Sequence, residues 1–277
     1  LTIKRFLSYL PQNVWQIPPT VSCDDPTDRR DEQLISAIPR NRREMYEISN
    51  IINAVVDHDS FFEISPEYGQ SLTVGLARLD GHAVGLMANN TKHHGGAVNA
   101  SASEKMMRFV DLCDTFHLPM INLVDNPGFL IGTEAEREGT VRLGSRALMA
   151  VYQSSIPWVS VIIRRCYGVA GAGHGKSDGL NLRYAWPSAD WGSLPIEGGV
   201  QAAYRRDIES ADDPELRRRE LEDMLEQYRS PLRTAEAFGI EEVIDPRDTR
   251  PLLCEWVKLA YELLPSRLGP KARTSRP

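Results

Sequence analysis

The sequence predicts an α/β layered fold, a sheet covered by helices, and three observations carry that expectation. Two period-two apolar segments flank Asp80-Gly81 in "SLTVGLARLDGHAVGLMAN" (71–89). Short apolar strands recur at "MINLVD" (120–125) and "WVSVIIRR" (158–165). Helical patterns of about 15 residues separate them, as in strand–helix–strand units.

Taken in chain order, residues 11–43 are rich in Pro, Asp and Arg with little periodicity, which predicts an extended connector. Asp80-Gly81 predicts a type I′ hairpin turn, because both central positions need positive φ. "SASEKMMRFVDLCDTFH" (101–117) opens with a Ser-x-x-Glu capping box, Ser101 with Glu104. It then gathers Met106, Phe109, Val110 and Cys113 on one helical face. A short buried strand follows, ending at Asp125. "VRLGSRALMAVYQSS" (141–155) reads as a helix and 158–165 as a β-branched strand. Pro214 after Asp213 marks another helix start, with Leu221, Met224, Leu225 and Tyr228 in one stripe and its many charges on a solvated face. A last helix covers 249–264, and no internal repeat is visible.

Bulk properties narrow the function classes. The 277 residues are 42% hydrophobic and 25% charged, an ordinary globular balance that allows one large domain with a sizeable core or two small ones. A net charge of −6 gives no electrostatic reason to expect a nucleic-acid or membrane partner. Cys23, Cys113, Cys166 and Cys254 are widely spaced without a Cys-x-x-Cys, which fits reduced thiols and no metal site. No apolar run approaches the roughly 20 residues of a membrane helix. The opening "LTIKRFLSYLPQN" lacks the apolar stretch of a signal peptide and an initiator methionine, so the chain is read as starting within a longer protein.

The stretch "RRCYGVAGAGHGKS" (164–177) admits two chemistries. Ala170 to Ser177 fits a relaxed phosphate-loop pattern, with Lys176 and Ser177 for phosphate and Mg²⁺ and Asp125 at the end of a Walker-B-like strand. Against it, a phosphate loop needs a helix beginning at Lys-Ser, and "DGLNLRYAWP" places Gly179 and Pro187 where that helix would run. The other reading is a strand-to-helix turn at Gly168-Val169-Ala170-Gly171 whose backbone N–H groups hold an oxyanion. Two more glycine turns follow strands, Gly95-Gly96 and Gly128-Phe129 to Gly132, and the three together predict one groove.

"FFEISPEYGQSLTVGLARLDGHAVGLMANN", "GGAVNASASEKMMRFVDLCDTFHLPMINLVDNPGF", "YAWPSAD" and "EEVIDPRDTRPLL" together resemble the C-terminal half of the carboxyltransferase β subunit of biotin-dependent acyl-CoA carboxylases. Propionyl-CoA, acetyl-CoA and methylcrotonyl-CoA carboxylases belong to that family. The resemblance covers essentially the whole chain, in the family's order. It implies a crotonase-like (ClpP/crotonase) spiral of β-β-α units, with residues 1–43 the end of a preceding domain plus connector and 44–277 the C-terminal carboxyltransferase domain. It also implies biotin on a carrier protein and a coenzyme A thioester as substrate. Carboxybiotin would release CO2, the amides of Val169 and Ala170 beside Gly168 would hold the ureido oxyanion, and the biotin nitrogen would take the α-proton before the enolate attacks CO2. Gly95, Gly96, Gly128, Phe129, Gly132 and Gly171 would line the biotin groove, and Ala172 stands where the family sets acyl preference.

The implied partners are an N-terminal carboxyltransferase domain or subunit, a biotin carboxyl carrier or biotin carboxylase subunit, and further copies in a homo-oligomer. The implied location is the cytoplasm, or the mitochondrial matrix of a eukaryote. The sequence departs from the family at Val169, usually glycine or alanine, and at "SLPIEGG", which replaces a Met-Gly pair. A biotin-dependent acyl-CoA decarboxylase and a non-catalytic assembly domain are the alternatives. Blander roles are expected elsewhere: His93-His94, His174 and Lys176 as solvated loop residues, Asp125 as a turn former, Cys166 as a core residue, and Tyr184 and Trp186 as packing.

Overall fold

The computed structural model describes residues 2–175, 179–226, 228 and 230–276, with the side chains of Ala172 and Glu197 outside that description. The helices are α1 (Thr2–Leu7), α2 (Ile48–Val55), α3 (Ala100–Thr115), α4 (Thr133–Arg137), α5 (Thr140–Gln153), α6 (Gly168–Ala172), α7 (Ile196–Ala203), α8 (Arg205–Glu209), α9 (Pro214–Glu226), α10 (Pro231–Glu236) and α11 (Thr249–Leu263). The strands are β1 (Phe62–Glu63), β2 (Leu72–Leu79), β3 (His82–Asn89), β4 (Met120–Asn126), β5 (Trp158–Tyr167), β6 (Asn181–Ala185), β7 (Asp190–Gly192) and β8 (Glu242–Val243).

The strands form one sheet in the order β1-β2-β3-β4-β5-β6-β8, with β7 beside the end of β5. Pairing is antiparallel from β1 to β3 and parallel from β3 onward. Both faces are covered, which is why β2 and β4 are buried at every position instead of alternating with solvent. On one face, α3 and α5 set Met106, Phe109 and Ala147 against Leu72, Val74, Met87 and Trp158. On the other, α2 and α11 set Ile51, Ile52, Trp256 and Val257 against Val84, Leu86, Leu123 and Val161.

The hairpin turns where expected, with φ of 49° at Asp80 and 74° at Gly81, the signs a type I′ turn requires. Helix α3 differs at its start. Its cap is Asn99, whose side chain accepts from the Ala102 amide at 2.9 Å. The helix therefore begins at Ala100 and Ser101 lies inside the first turn, while Glu104 accepts instead from the Tyr68 hydroxyl. In α9, Leu221 and Leu225 pack with Val200 and Ile208, whereas Met224 and Tyr228 are exposed, a narrower stripe than predicted. Within 11–43, a short 3-10 turn (Glu32–Ser36) buries Leu34, and Arg29 donates to the carbonyls of Ala54 and Val56, both at 2.9 Å.

Because β3, β4 and β5 run parallel, their C-terminal ends share one edge of the sheet. All three glycine turns leave from that edge.

Candidate functional site

At the shared edge the turns are stitched together by backbone. The Val98 amide donates to Gly128 O at 3.0 Å and the Leu130 amide to Val98 O at 2.9 Å, joining the turn after β3 to the turn after β4. Arg165, from the end of β5, donates to Gly95 O at 2.6 Å. Gly96 is buried against the Asp125 carbonyl. Gly128 and Gly132 have open space where side chains would stand. The ring of Phe129 is seated over Gly144 of α5, so at that position it is the backbone that faces the turn.

Asp125 is not a turn former. That role belongs to Asn126, whose side-chain oxygen accepts from the Gly128 amide at 2.9 Å. The Asp125 carboxylate is fully buried and takes Tyr46 Oη at 2.8 Å, Arg164 Nε at 2.9 Å and Arg165 Nε at 2.7 Å. A bulge makes this possible: Val124 pairs with Ile162 and Asn126 with Cys166, so Arg164 and Arg165 both lie in the β5 segment opposite one aspartate. Burial alone would raise this carboxyl's pKa, but the flanking Arg165 and Arg164 hold it below the ordinary value. Burial, then the neighbouring carboxylate, drives the Tyr46 phenol well up. The cluster is a charged clasp, with no group left for Mg²⁺.

The proposed oxyanion cradle is the β5–α6 junction. Tyr167 ends the strand in extended conformation, and its hydroxyl donates to buried Asp190 at 2.5 Å; Arg42 pairs with the same carboxylate. Gly168 then takes φ of +61°, which turns the chain into α6. The left-handed conformation thus falls on Gly168, while Val169 is inside the helix, where a branched residue is tolerated. The Val169 side chain is 65% exposed and Ala170 is buried. Amides in a helix's first turn have no intrahelical acceptor, so those of 168–170 are available to a ligand oxygen. A methyl on Gly171 would stand 2.9 Å from the Cys166 carbonyl carbon, so only glycine lets the short helix lie this close to its strand. The Ala172 side chain is outside the described residues.

His174 is not solvated but buried, its Nδ1 2.7 Å from the Asn122 side-chain amide and its Nε2 2.7 Å from that of Asn126. Asn126 keeps its oxygen on the Gly128 amide, so its NH2 donates to Nε2; the ring proton then sits on Nδ1, and turning the Asn122 amide over to bring its otherwise unpartnered oxygen to Nδ1 completes the network. Burial pushes the imidazole pKa down to about 4. Cys166 is a half-buried packing thiol, which burial pushes up to about 12. Trp186 packs in the core with Nε1 on Thr249 Oγ1 at 2.9 Å, and Tyr184 packs against the same core. His94 is exposed and His93 half-buried.

Two clefts flank the junction. One of about 570 Å³ lies between β7, α7 and α9, walled by Trp191, Leu194, Pro195, Ile196 and Leu225 beside Tyr167. The other, about 470 Å³, lies behind α6. The phosphate-loop reading finds no support: Lys176 and Ser177 are outside the described residues, α6 ends before them, and β6 begins at Asn181 where a helix would be needed. Among the described residues no cluster of His, Cys, Asp or Glu could hold a metal, and no helix is long and apolar enough to cross a membrane.

Residues 1–271 match the carboxyl transferase domain family. The chain belongs to that family. The propionyl-CoA carboxylase carboxyltransferase subunit of Haloferax mediterranei is 39% identical over 250 residues, 90% of this chain and 48% of that protein. The methylmalonyl-CoA decarboxylase subunit alpha of Veillonella parvula is 33% identical over 250 residues, again 90% and 48%. The solved transcarboxylase 12S, a hexamer with methylmalonyl-coenzyme A and methylmalonic acid bound, superposes with a TM-score of 0.88 at 30% identity, over 100% of this chain and 52% of that one. The fold is crotonase-like, as the sequence led one to expect. This carboxyl transferase domain spans about half the length of the curated relatives it matches.

Proposed function

We propose that the chain is a carboxyltransferase half-site that holds carboxylated biotin, presented by a carrier protein, and with an N-terminal domain directs the carboxyl group to the α-carbon of an acyl-CoA. The observation that carries this reading is the β5–α6 junction: a left-handed glycine followed by helix-start amides on an open edge. Bound carboxybiotin would supply the carboxyl group and a ureido oxygen that gains negative charge as that group leaves. The amides of Val169 and Ala170 would donate to this oxygen, and the +0.5 end of even a short helix favours charge there. Tyr167, held by Asp190 and Arg42, fixes the angle at which the strand delivers them. The apolar cleft beside Tyr167 has the dimensions of a small-molecule pocket. Gly95, Gly96, Gly128 and Gly132 leave backbone, not side chains, along the groove, and Gly171 seats the helix. Ala172 would leave the acyl pocket uncharged.

In this reading residues 1–43 are the end of a preceding domain and its connector. The partners are an N-terminal carboxyltransferase half, a biotin carrier or biotin carboxylase subunit, and further copies of the chain, in the cytoplasm or the mitochondrial matrix. Running the site backward, as an acyl-CoA decarboxylase, is the second reading, favoured by the Veillonella relative. Mixing the chain with an N-terminal half from a relative, a carboxylated biotin carrier and propionyl-CoA is expected to yield methylmalonyl-CoA, with the chain alone inactive. Turnover by the chain alone would overturn the half-site. Turnover only from methylmalonyl-CoA toward biotin would favour the decarboxylase.

A further inference from the structure

We propose that the cleft behind α6 is a binding site for a small carboxylic acid with an apolar body, recognised by Arg183. The cleft, about 470 Å³, is walled by Ile162, Cys166, Trp191, Thr234 and Ile240 and floored by the backbone of Gly168 and Gly171. Arg183 enters it from β6, half-buried, its side chain lying along Gly175, where an added methyl would meet Cδ at 3.4 Å.

The guanidinium has no hydrogen bond or ion pair among the described residues. The Glu241 carboxylate accepts from the Arg183 main-chain amide instead. The deeper arginines are different: Arg78, Arg164 and Arg250 each spend their donors on carbonyls or carboxylates. A half-buried guanidinium left unpaired keeps its donor fork aimed at the cleft, and that fork matches a carboxylate bidentately.

The walls decide the rest of the ligand. Among the described residues no Asp or Glu lines the cleft, and burial keeps the Cys166 thiol protonated, so none of the lining groups competes for the cation. Ile162, Ile240 and Trp191 give apolar surface that a bare inorganic anion would leave unused. Because Gly168 and Gly171 form the floor, an occupant braces the turn from behind. The assay of this site needs neither biotin nor coenzyme A.

The test is isothermal titration of the full chain with phenylacetate, phenylacetamide and inorganic phosphate. Phenylacetate is expected to bind at one site, the amide at least tenfold more weakly, and phosphate not measurably. Arg183→Gln should weaken phenylacetate at least tenfold, Arg183→Lys less, and Thr234→Trp should abolish binding by filling the wall, with thermal melting reporting the fold of each. If Arg183→Gln does not fold, the ratio of acid to amide in the unmodified chain and in Arg183→Lys decides. Absence of phenylacetate binding, equal binding of acid and amide, or phosphate binding as tightly as phenylacetate would overturn the site.

Discussion

Strand β4 carries a buried polar cluster on each face, and the two solve the same problem by opposite means. On the face shared with Leu123, Asp125 keeps its charge because Tyr46 and two arginines converge on it through the bulge in β5. Toward α6, His174 meets only the amides of Asn122 and Asn126 and is held neutral. The first cluster clasps the turn after β3 and residues 42–46; the second ties the turn after β4 to the junction after β5. A charge is kept where opposite charges can reach it, and where only amides can, the ring is buried without its second proton.

The largest expected effect breaks the charged face. Asp125→Ala strips the counter-ion from buried Arg164 and half-buried Arg165, leaving them only carbonyl acceptors, and should destabilise by about 3–5 kcal/mol, read from the urea midpoint. The neutral face should respond to pH instead. His174 has a folded pKa of about 4, below its ordinary 6.5, so the unfolded chain takes up protons first as pH falls. Its stability is intact above pH 6.5 and is lost progressively down to about 4, roughly 3 kcal/mol in all. His174→Gln should flatten that slope, and a slope unchanged by the substitution would place the titration elsewhere. Asp125, with its pKa held below the ordinary value near 3.9, should lose its contribution only under more acid conditions, so the two faces titrate in separate windows. Asn126→Ala strips a partner from both His174 and the Gly128 amide and should cost about 1–3 kcal/mol. Tyr46→Phe removes one donor from a carboxylate that keeps both arginines, and should cost about 1 kcal/mol by thermal melting.

The sheet and its large helices were legible because their signals are local: period two around Asp80-Gly81, a helical face from Met106 to Cys113, and a β-branched run from Val159 to Ile163. The cap of α3 was less so, since Asn99 and Ser101 can both cap, and the choice rests on how the chain leaves Gly96. The clusters on β4 were not legible. Nothing near "GHGKS" in sequence tells that His174 folds beneath α6, because its partners lie 48 and 52 residues away. Two signals were available all the same. Asn122 interrupts an apolar strand, and Arg164-Arg165 ends one, and polar groups in such places need buried partners. The sequence marks Val169 as a departure from the family, but the left-handed conformation at this turn falls on its neighbour Gly168, where glycine accommodates it.

That conformation gives the most direct test of the cradle. Carboxyl transfer from a carboxylated biotin carrier to propionyl-CoA, with the N-terminal half supplied, should fall about 10²–10³-fold in Gly168→Val, the loss typical of a misplaced oxyanion donor. Val169→Gly and Lys176→Ala should keep turnover near the unmodified level. Full activity in a folded Gly168→Val variant would contradict the account.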